Sequence, residues 1–186
     1  MSCRVRLVAM SPEIVLLPLG ERQLASLLAT AVADADPTDV MPPVAGEPGW
    51  NSERRKAFLA FHRSRWIQLP SESSYVVLVD GFVVGAARLA PVSGSDDLKA
   101  GVWLGRSYRR GGIGTVVFAL LRTQALEQGA QRIIANTTID NIGTNRILTR
   151  GGTALSSNGE TGVRAVIDLM GQEGSPTAEQ PAGPQR

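Results

Sequence analysis

The chain has 186 residues, 43% hydrophobic and 19% charged, which suits one globular domain able to bury a core without disulfides or metals. A single cysteine, Cys3, leaves no disulfide within the chain, and a single histidine, His62, leaves no ordinary His/Cys zinc site and no Ser-His-Asp triad except through that residue. The net charge of +2 is too small to argue for nucleic acid as a partner, and no apolar run approaches the roughly 18 residues of a membrane helix.

Near the N-terminus, Arg4 and Arg6 flank a short apolar stretch that Pro12 and Glu13 interrupt with no small-residue cleavage site behind it, so a soluble cytoplasmic protein is expected. Residues 14 to 19 read as a first strand, and residues 21 to 33, with apolar groups at helical spacing, as a first helix. From Asp34 to about Asn51 the chain reads as long and irregular, with Pro37, Pro42, Pro43 and Pro48 among turn residues. A second helix follows from Ser52, as N-cap, to Trp66.

Residues 75 to 79 and 82 to 87 flank Asp80-Gly81 and read as a β-hairpin, because a two-residue turn of this kind needs φ > 0 at both positions. Residues 98 to 105 form the next strand, and 113 to 128 a helix stopped by Gly129. Residues 133 to 138 form a strand and 142 to 150 a short helix closed by Gly151-Gly152. Two strands, 153 to 157 and 163 to 169, complete the domain around a Ser-Asn-Gly turn. This order predicts an α/β domain over residues 1–170, with a mixed, mostly antiparallel sheet of about six to seven strands and helices on both faces. Residues 171–186, rich in Gly, Pro, Gln, Ser and Glu, read as a disordered tail.

The segment richest in chemistry runs from Val102, Trp103 and Leu104 through Gly105, Arg106, Ser107 and Tyr108 to Arg109, Arg110, Gly111, Gly112, Ile113, Gly114 and Thr115. It is an apolar strand, a basic glycine-rich turn and an apolar helix. Amides at a helix start have no internal acceptor, the helix dipole adds partial positive charge, and glycines let a ligand approach the backbone; together these bind anions, phosphate above all. The spacing fits neither a dinucleotide fingerprint nor a P-loop.

Arg109-Arg110-Gly111-Gly112-Ile113-Gly114 resembles the R/Q-x-x-G-x-G/A signature of the GCN5-related N-acetyltransferases (GNAT). A second stretch, Asn141 to Gly152, is similar to that family's N-x-x-(A/S)-x-x-x-(Y/L)-x-x-x-G pattern and stands at the expected distance. The resemblance covers residues 12 to 169. It implies that acetyl-CoA is the acyl donor, with coenzyme A as product and no metal. The glycine loop would hold its pyrophosphate. Val102 to Leu104, in a strand that carries a bulge, would lend backbone groups to the pantetheine arm, which Asn141 would hydrogen-bond. A backbone N–H of that strand, at Leu104, would stabilise the oxyanion. Leu148 replaces the tyrosine that often protonates the leaving thiolate, and Thr144, where the ribosomal-protein alanine acetyltransferases place a serine, would donate a hydrogen bond to the sulfur instead. Dimers are common in the family, so a homodimer is a further expectation.

The strand 98 to 105 holds no carboxylate, which leaves Asp80, Asp96, Asp97, Glu53 and Glu160 as distant candidates for a base. His62 reads as a packing or surface residue near Phe58, Phe61 and Trp66, with a base role open to it. Between the first two helices Asp34, Asp36, Asp39, Glu47 and Glu53 occur with no cation before Arg54, a local acidity that suits a polycationic acceptor such as an aminoglycoside. Trp50 would stack on a sugar ring there. Gly49 to Phe58 resembles the corresponding stretch of kasugamycin-type aminoglycoside acetyltransferases, which modify a 2′-amine and so confer resistance. Asp39, Trp50, Glu53, Asp80 and Glu160 are the expected acceptor residues. Two other readings stay open: acetylation of protein N-termini beginning with alanine or serine, and a module that binds acetyl-CoA without turnover.

Overall fold

The computed structural model describes residues 11–68, 71–150 and 153–170. Its elements in chain order are β1 (Ile14–Pro18), α1 (Glu21–Asp34), α2 (Pro37–Val40), α3 (Ser52–Gln68), β2 (Ser73–Val79), β3 (Phe82–Pro91), β4 (Leu98–Leu104), a 3₁₀ turn (Arg106–Tyr108), α4 (Ile113–Glu127), β5 (Arg132–Thr138), α5 (Ile142–Thr149), β6 (Leu155–Ser157) and β7 (Gly162–Asp168). The expected tail at 171–186 and the Gly151-Gly152 stop lie outside the described residues.

The strands form one seven-stranded sheet in the order β1-β2-β3-β4-β5-β7-β6. Every neighbouring pair is antiparallel except β4 and β5. One face packs on α4 and α5 through Val117, Leu121, Ala125 and Leu148, over Val77, Leu89, Ile133 and Ala165. The other packs on α1, α2 and α3 through Leu24, Leu27, Val40 and Phe58, over Val76 and Ala86. In α4, Ile113, Val117, Leu121 and Ala125 recur every four residues and are all buried, the stripe a helix lays on a sheet.

The turn chemistry follows the sequence. Asp80 (φ 50°) and Gly81 (φ 82°) are both left-handed, and Gly129 (φ 78°) ends α4 while the Ala130 amide reaches back to the Ala125 carbonyl.

Three local expectations are corrected. The stretch 34 to 51 is not wholly irregular: Asp36 accepts from the Thr38 amide at 2.9 Å and Pro37 starts α2, since proline lacks only an amide that a first turn leaves unused. Ser52 is the first residue of α3 rather than its cap; the Asn51 side chain accepts the Arg54 amide at 2.9 Å. The bulge lies in β3 rather than β4. Val77 faces Gly85 while Leu78 faces Val83, leaving Val84 as the extra residue. β4 keeps unbroken register with β3 from Leu98↔Pro91 to Leu104↔Gly85. The bulge resets side-chain alternation, so Val84 and then Ala87 and Leu89 face α4, while Val83 and then Ala86 face α1. Gly85 suits this place because a Cβ there would collide with the Trp103 carbonyl.

Candidate active site

The parallel ladder between β4 and β5 is short. It pairs Leu98 with Ile133, Lys99 with Ile134 and Ala100 with Ala135, and then stops, although β4 continues to Leu104 and β5 to Thr138. In an antiparallel pair, backbone groups alternate between pointing at the partner and pointing away. The Gly105 amide donates to the Val84 carbonyl of β3 at 2.9 Å, so the backbone groups of Leu104 and Val102 point the other way, into the gap. The Leu104 carbonyl confirms the phase, since it accepts from Arg109 Nε at 2.9 Å. A slot lined by main chain that β5 leaves unpaired thus opens between two strands of the same sheet.

The glycine loop closes one end of the slot. Arg110 (φ 67°) and Gly112 (φ 83°) are both left-handed and curl the chain before α4. The amides of Gly111, Gly112, Ile113 and Gly114 find no acceptor among the described residues, a concave cluster of donors at a helix start. A Cβ built on Gly111 or Gly112 meets nothing within 4 Å, so the space above them is open. Gly114 differs: its Cβ would lie 3.1 Å from Ile147 Cδ1, so this glycine serves the packing of α4 on α5.

Asp34, at the end of α1, holds the loop from behind. Its carboxylate accepts from the Ser107 amide at 2.9 Å and from the Ser107 hydroxyl at 3.2 Å. Gly105 permits the approach, since a Cβ there would come within 2.5 Å of Asp34 Oδ2. On the opposite side, the Asn141 side chain caps α5 by accepting the Thr144 amide at 3.2 Å. Leu148 is buried in the core, and Thr144 is half-buried.

A cavity of about 330 Å³ opens on the α1–α3 face of the same strands, lined among others by Asp39, Met41, His62, Arg65, Arg88 and Trp103. Val102 borders it as well, so its wall and the slot share one stretch of β4. Asp39 lies 3.7 Å from Arg109, joining α2 to the glycine loop. Arg65 is held by Glu72 at 2.6 and 2.7 Å. The imidazole of His62 packs edge-on against Phe58 and Phe61 at 4.5 and 5.2 Å between ring centroids. Burial first, then the Arg65 and Arg88 charges, lower its pKa from 6.5 to about 4. It is therefore neutral at neutral pH and a poor base for an ammonium ion.

Over residues 13–154 the chain matches the family model for the acetyltransferase (GNAT) domain. The chain belongs to the GNAT acetyltransferase family. The fold agrees. It superposes on Mycobacterium smegmatis RimJ in complex with CoA-disulfide at a TM-score of 0.69, with 17% identity over 87% of this chain and 85% of that one. A probable GNAT-family acetyltransferase from Chromobacterium violaceum gives 0.65, with 18% identity over 91% and 95%. RimL, a ribosomal L7/L12 alpha-N-protein acetyltransferase, gives 0.60, with 15% identity over 84% and 93%. At such identities the likeness is one of fold. No curated protein sequence matches the chain.

Of the acceptor residues expected in this acetyltransferase, Asp39 alone lines the cavity. Trp50 anchors the loop instead: its indole donates to the Ala35 carbonyl at 2.9 Å and its ring meets Phe58 edge-on at 5.7 Å. Glu53 is exposed on the first turn of α3, and Glu160 on the β6–β7 turn. Asp80 sits in its hairpin and accepts the Glu13 amide. Asp97 is buried in a bidentate pair with Arg132 and Asp96 accepts from Gln131, so neither is placed to act as a base. The structural roles of Asp34 and Arg54 are not legible in the sequence, where Asp34 reads as part of an acidic run, because a carboxylate and a guanidinium that bind main chain carry no signal of it. Among the described residues no cluster of His, Cys, Asp and Glu could hold a metal, and no helix is long and apolar enough to cross a membrane.

The lowered pKa of His62 makes stability depend on pH. Between pH 6.5 and about 4 the unfolded chain binds a proton that the native imidazole refuses, so this contribution is complete above pH 6.5 and falls as the medium is acidified. By pH 4.5 the loss comes to roughly 2–3 kcal/mol. Urea unfolding at about pH 7 and pH 4.5 measures it. His62→Gln should lose distinctly less stability across that interval, and a variant with the wild-type loss would refute the assignment.

Proposed function

We propose that this acetyltransferase takes acetyl-CoA into the slot between β4 and β5 and acetylates a primary amine bound in the adjoining cavity. The observation that carries the reading is the end of the parallel ladder at Ala100 and Ala135, which opens main-chain edges next to both the amide cluster and the cavity. The donor fits the residues present. Gly111, Gly112, Ile113 and Gly114 offer amides, and Arg110 a charge, to its pyrophosphate. The edge of Val102 and Leu104 offers backbone groups to an extended amide-bearing arm, and Asn141 flanks that arm.

The thioester supplies an activated acyl group: a C–N bond forms to the neutral amine, the C–S bond breaks, the thiolate takes up a proton and the product amide gives one up. The Leu104 amide would stabilise the oxyanion. Thr144 would give its hydroxyl hydrogen bond to the thiolate, in place of the tyrosine for which Leu148 stands. Asp39 would steer the amine into the cavity. Holding two reactants together supplies much of the rate, which relieves the need for a strong base.

The aminoglycoside reading, with kasugamycin as its leading case and resistance as its consequence, keeps Asp39 as support. Against it, Asp34 and Asp36 are engaged by Ser107 and Thr38, and Arg65 and Arg88 line the cavity, which disfavours a polycation. Likeness in fold to RimJ and RimL supports the second reading, acetylation of a protein N-terminus.

The test is acetyl-CoA-dependent thiol release with kasugamycin, other aminoglycosides, peptides beginning with alanine or serine, and small amino acids, alongside calorimetric binding of acetyl-CoA. Release that depends on one class of primary amine supports transfer. Binding without release from any member would favour the module without turnover, and absence of acetyl-CoA binding would overturn the proposal.

A further inference from the structure

Around Arg65 and Arg88 the charges do not balance locally. Glu72 is 3% exposed and accepts two short hydrogen bonds from Arg65. Arg88 reaches the same carboxylate only at 3.7 Å. Two guanidiniums thus share one carboxylate, and His62 beside them adds no negative charge. Burial and the proximity of Arg65 both disfavour the charge on Arg88, and Glu72 only partly offsets them. An arginine keeps its charge regardless, so the wall carries an excess cation.

Unmet hydrogen bonding on this wall is mostly of the same sense. Arg65 Nε, Trp103 Nε1 and His62 Nε2 are buried without a partner among the described residues; the first two can only donate, and the imidazole nitrogen can donate or accept according to tautomer. Buried donors left unpaired are costly. The sheet also makes room for the cation. Arg88 is paired across the ladder with Gly101, and a Cβ there would come within 2.8 Å of Arg88 Nε, so the side chain lies over the one residue of β4 that lets it rest flat on the strand. The charge of opposite sign among the cavity-lining residues is Asp39, on α2.

We infer that the acceptor is a small primary amine that also carries a carboxylate, bound with the carboxylate on Arg88 and the amine towards Asp39. This rests on the reading of the cavity as the acceptor site. It selects zwitterionic, amino-acid-like molecules over polycations. A guanidinium and a carboxylate form charge-assisted, often bidentate bonds, and Arg65 Nε and Trp103 Nε1 stand ready to donate to further oxygens after a small shift.

Two measurements test it. Glutarate, a dicarboxylate with no amine, reports on the anion site without any transfer. It should raise the melting temperature of the wild type and leave that of Arg88→Met unmoved, with Arg88→Lys in between. The second is thiol release with glycine, β-alanine, 4-aminobutyrate and methionine, each beside its amide. An amide lowers the pKa of the neighbouring amine, so the comparison is made between proteins. Arg88→Met should raise KM for the acids roughly 10- to 100-fold more than it raises KM for the amides. Equal glutarate response and equal acid KM in wild type and Arg88→Met would overturn the inference. Arg88-dependent glutarate binding with no amine acetylated would uphold the anion site while the transfer reading fails.

Discussion

Gly112→Val should abolish measurable acetyl-CoA binding, a loss of at least about 100-fold, or roughly 2.7 kcal/mol. Gly112 sits at φ 83° with open space where its Cβ would be, so valine there brings two effects. The side chain fills the volume in which the proposed phosphate would rest, and the left-handed conformation strains a β-branched residue by about 1–3 kcal/mol. Gly111→Val separates them. Gly111 is not among the positive-φ residues and its Cβ also meets nothing within 4 Å, so the fold tolerates the change while the site does not. Calorimetry with acetyl-CoA, beside a thermal melt, gives the answer. A folded Gly111→Val that binds like the wild type would remove the phosphate role from this loop. Gly114→Val would be a poor substitute, because that position presses on Ile147 and its failure would report packing.

Arg54→Met should cost about 3 kcal/mol of stability, or a fall of about 9 °C in melting temperature for a chain of this size. The Arg54 side chain is buried and donates to four main-chain carbonyls: Gly49 at 2.7 Å, Val44 at 3.0 Å, Gly46 at 3.1 Å, and Glu47. A loop of this length has few hydrogen bonds of its own, and one guanidinium ties it down. Methionine keeps the apolar stem and removes every donor. The segment 44–49 should then become the first site cut by a nonspecific protease, and turnover should fall because the loop follows directly on Met41 in the cavity wall. An Arg54→Met protein as stable and as protease-resistant as the wild type would show that the loop holds itself.

Much of the architecture can be read from residues whose chemistry acts within a few positions. Asp80-Gly81 needs only itself to make a turn, Gly129 to stop a helix, and the four-residue spacing of Ile113, Val117, Leu121 and Ala125 to bury a face. What escaped depends on partners distant in sequence. Asp34 looks like part of an acidic run until it is seen 73 residues from the Ser107 it holds. Trp50 has the chemistry of a sugar platform and spends it on the Ala35 carbonyl. Pro37 reads as one more turn residue of an irregular stretch, yet at a first turn it starts a helix. The bulge in β3 shows in the sequence only as Gly85, one glycine among 20. Of the site, the glycine loop was legible because phosphate chemistry is local. The cavity was not, because Arg65, Glu72 and Arg88 come from three separate elements.

A recognition edge built of main chain is shielded from mutation. Every amino acid except proline brings the same N–H to positions 102 and 104, so substitutions there leave the donor's hydrogen bonds standing while the neighbouring side chains are free to drift. Such an edge survives wide divergence in sequence: proteins that superpose on this fold share only 14–18% identity with it, and the geometry that leaves the edge open is a property of the strands rather than of their side chains.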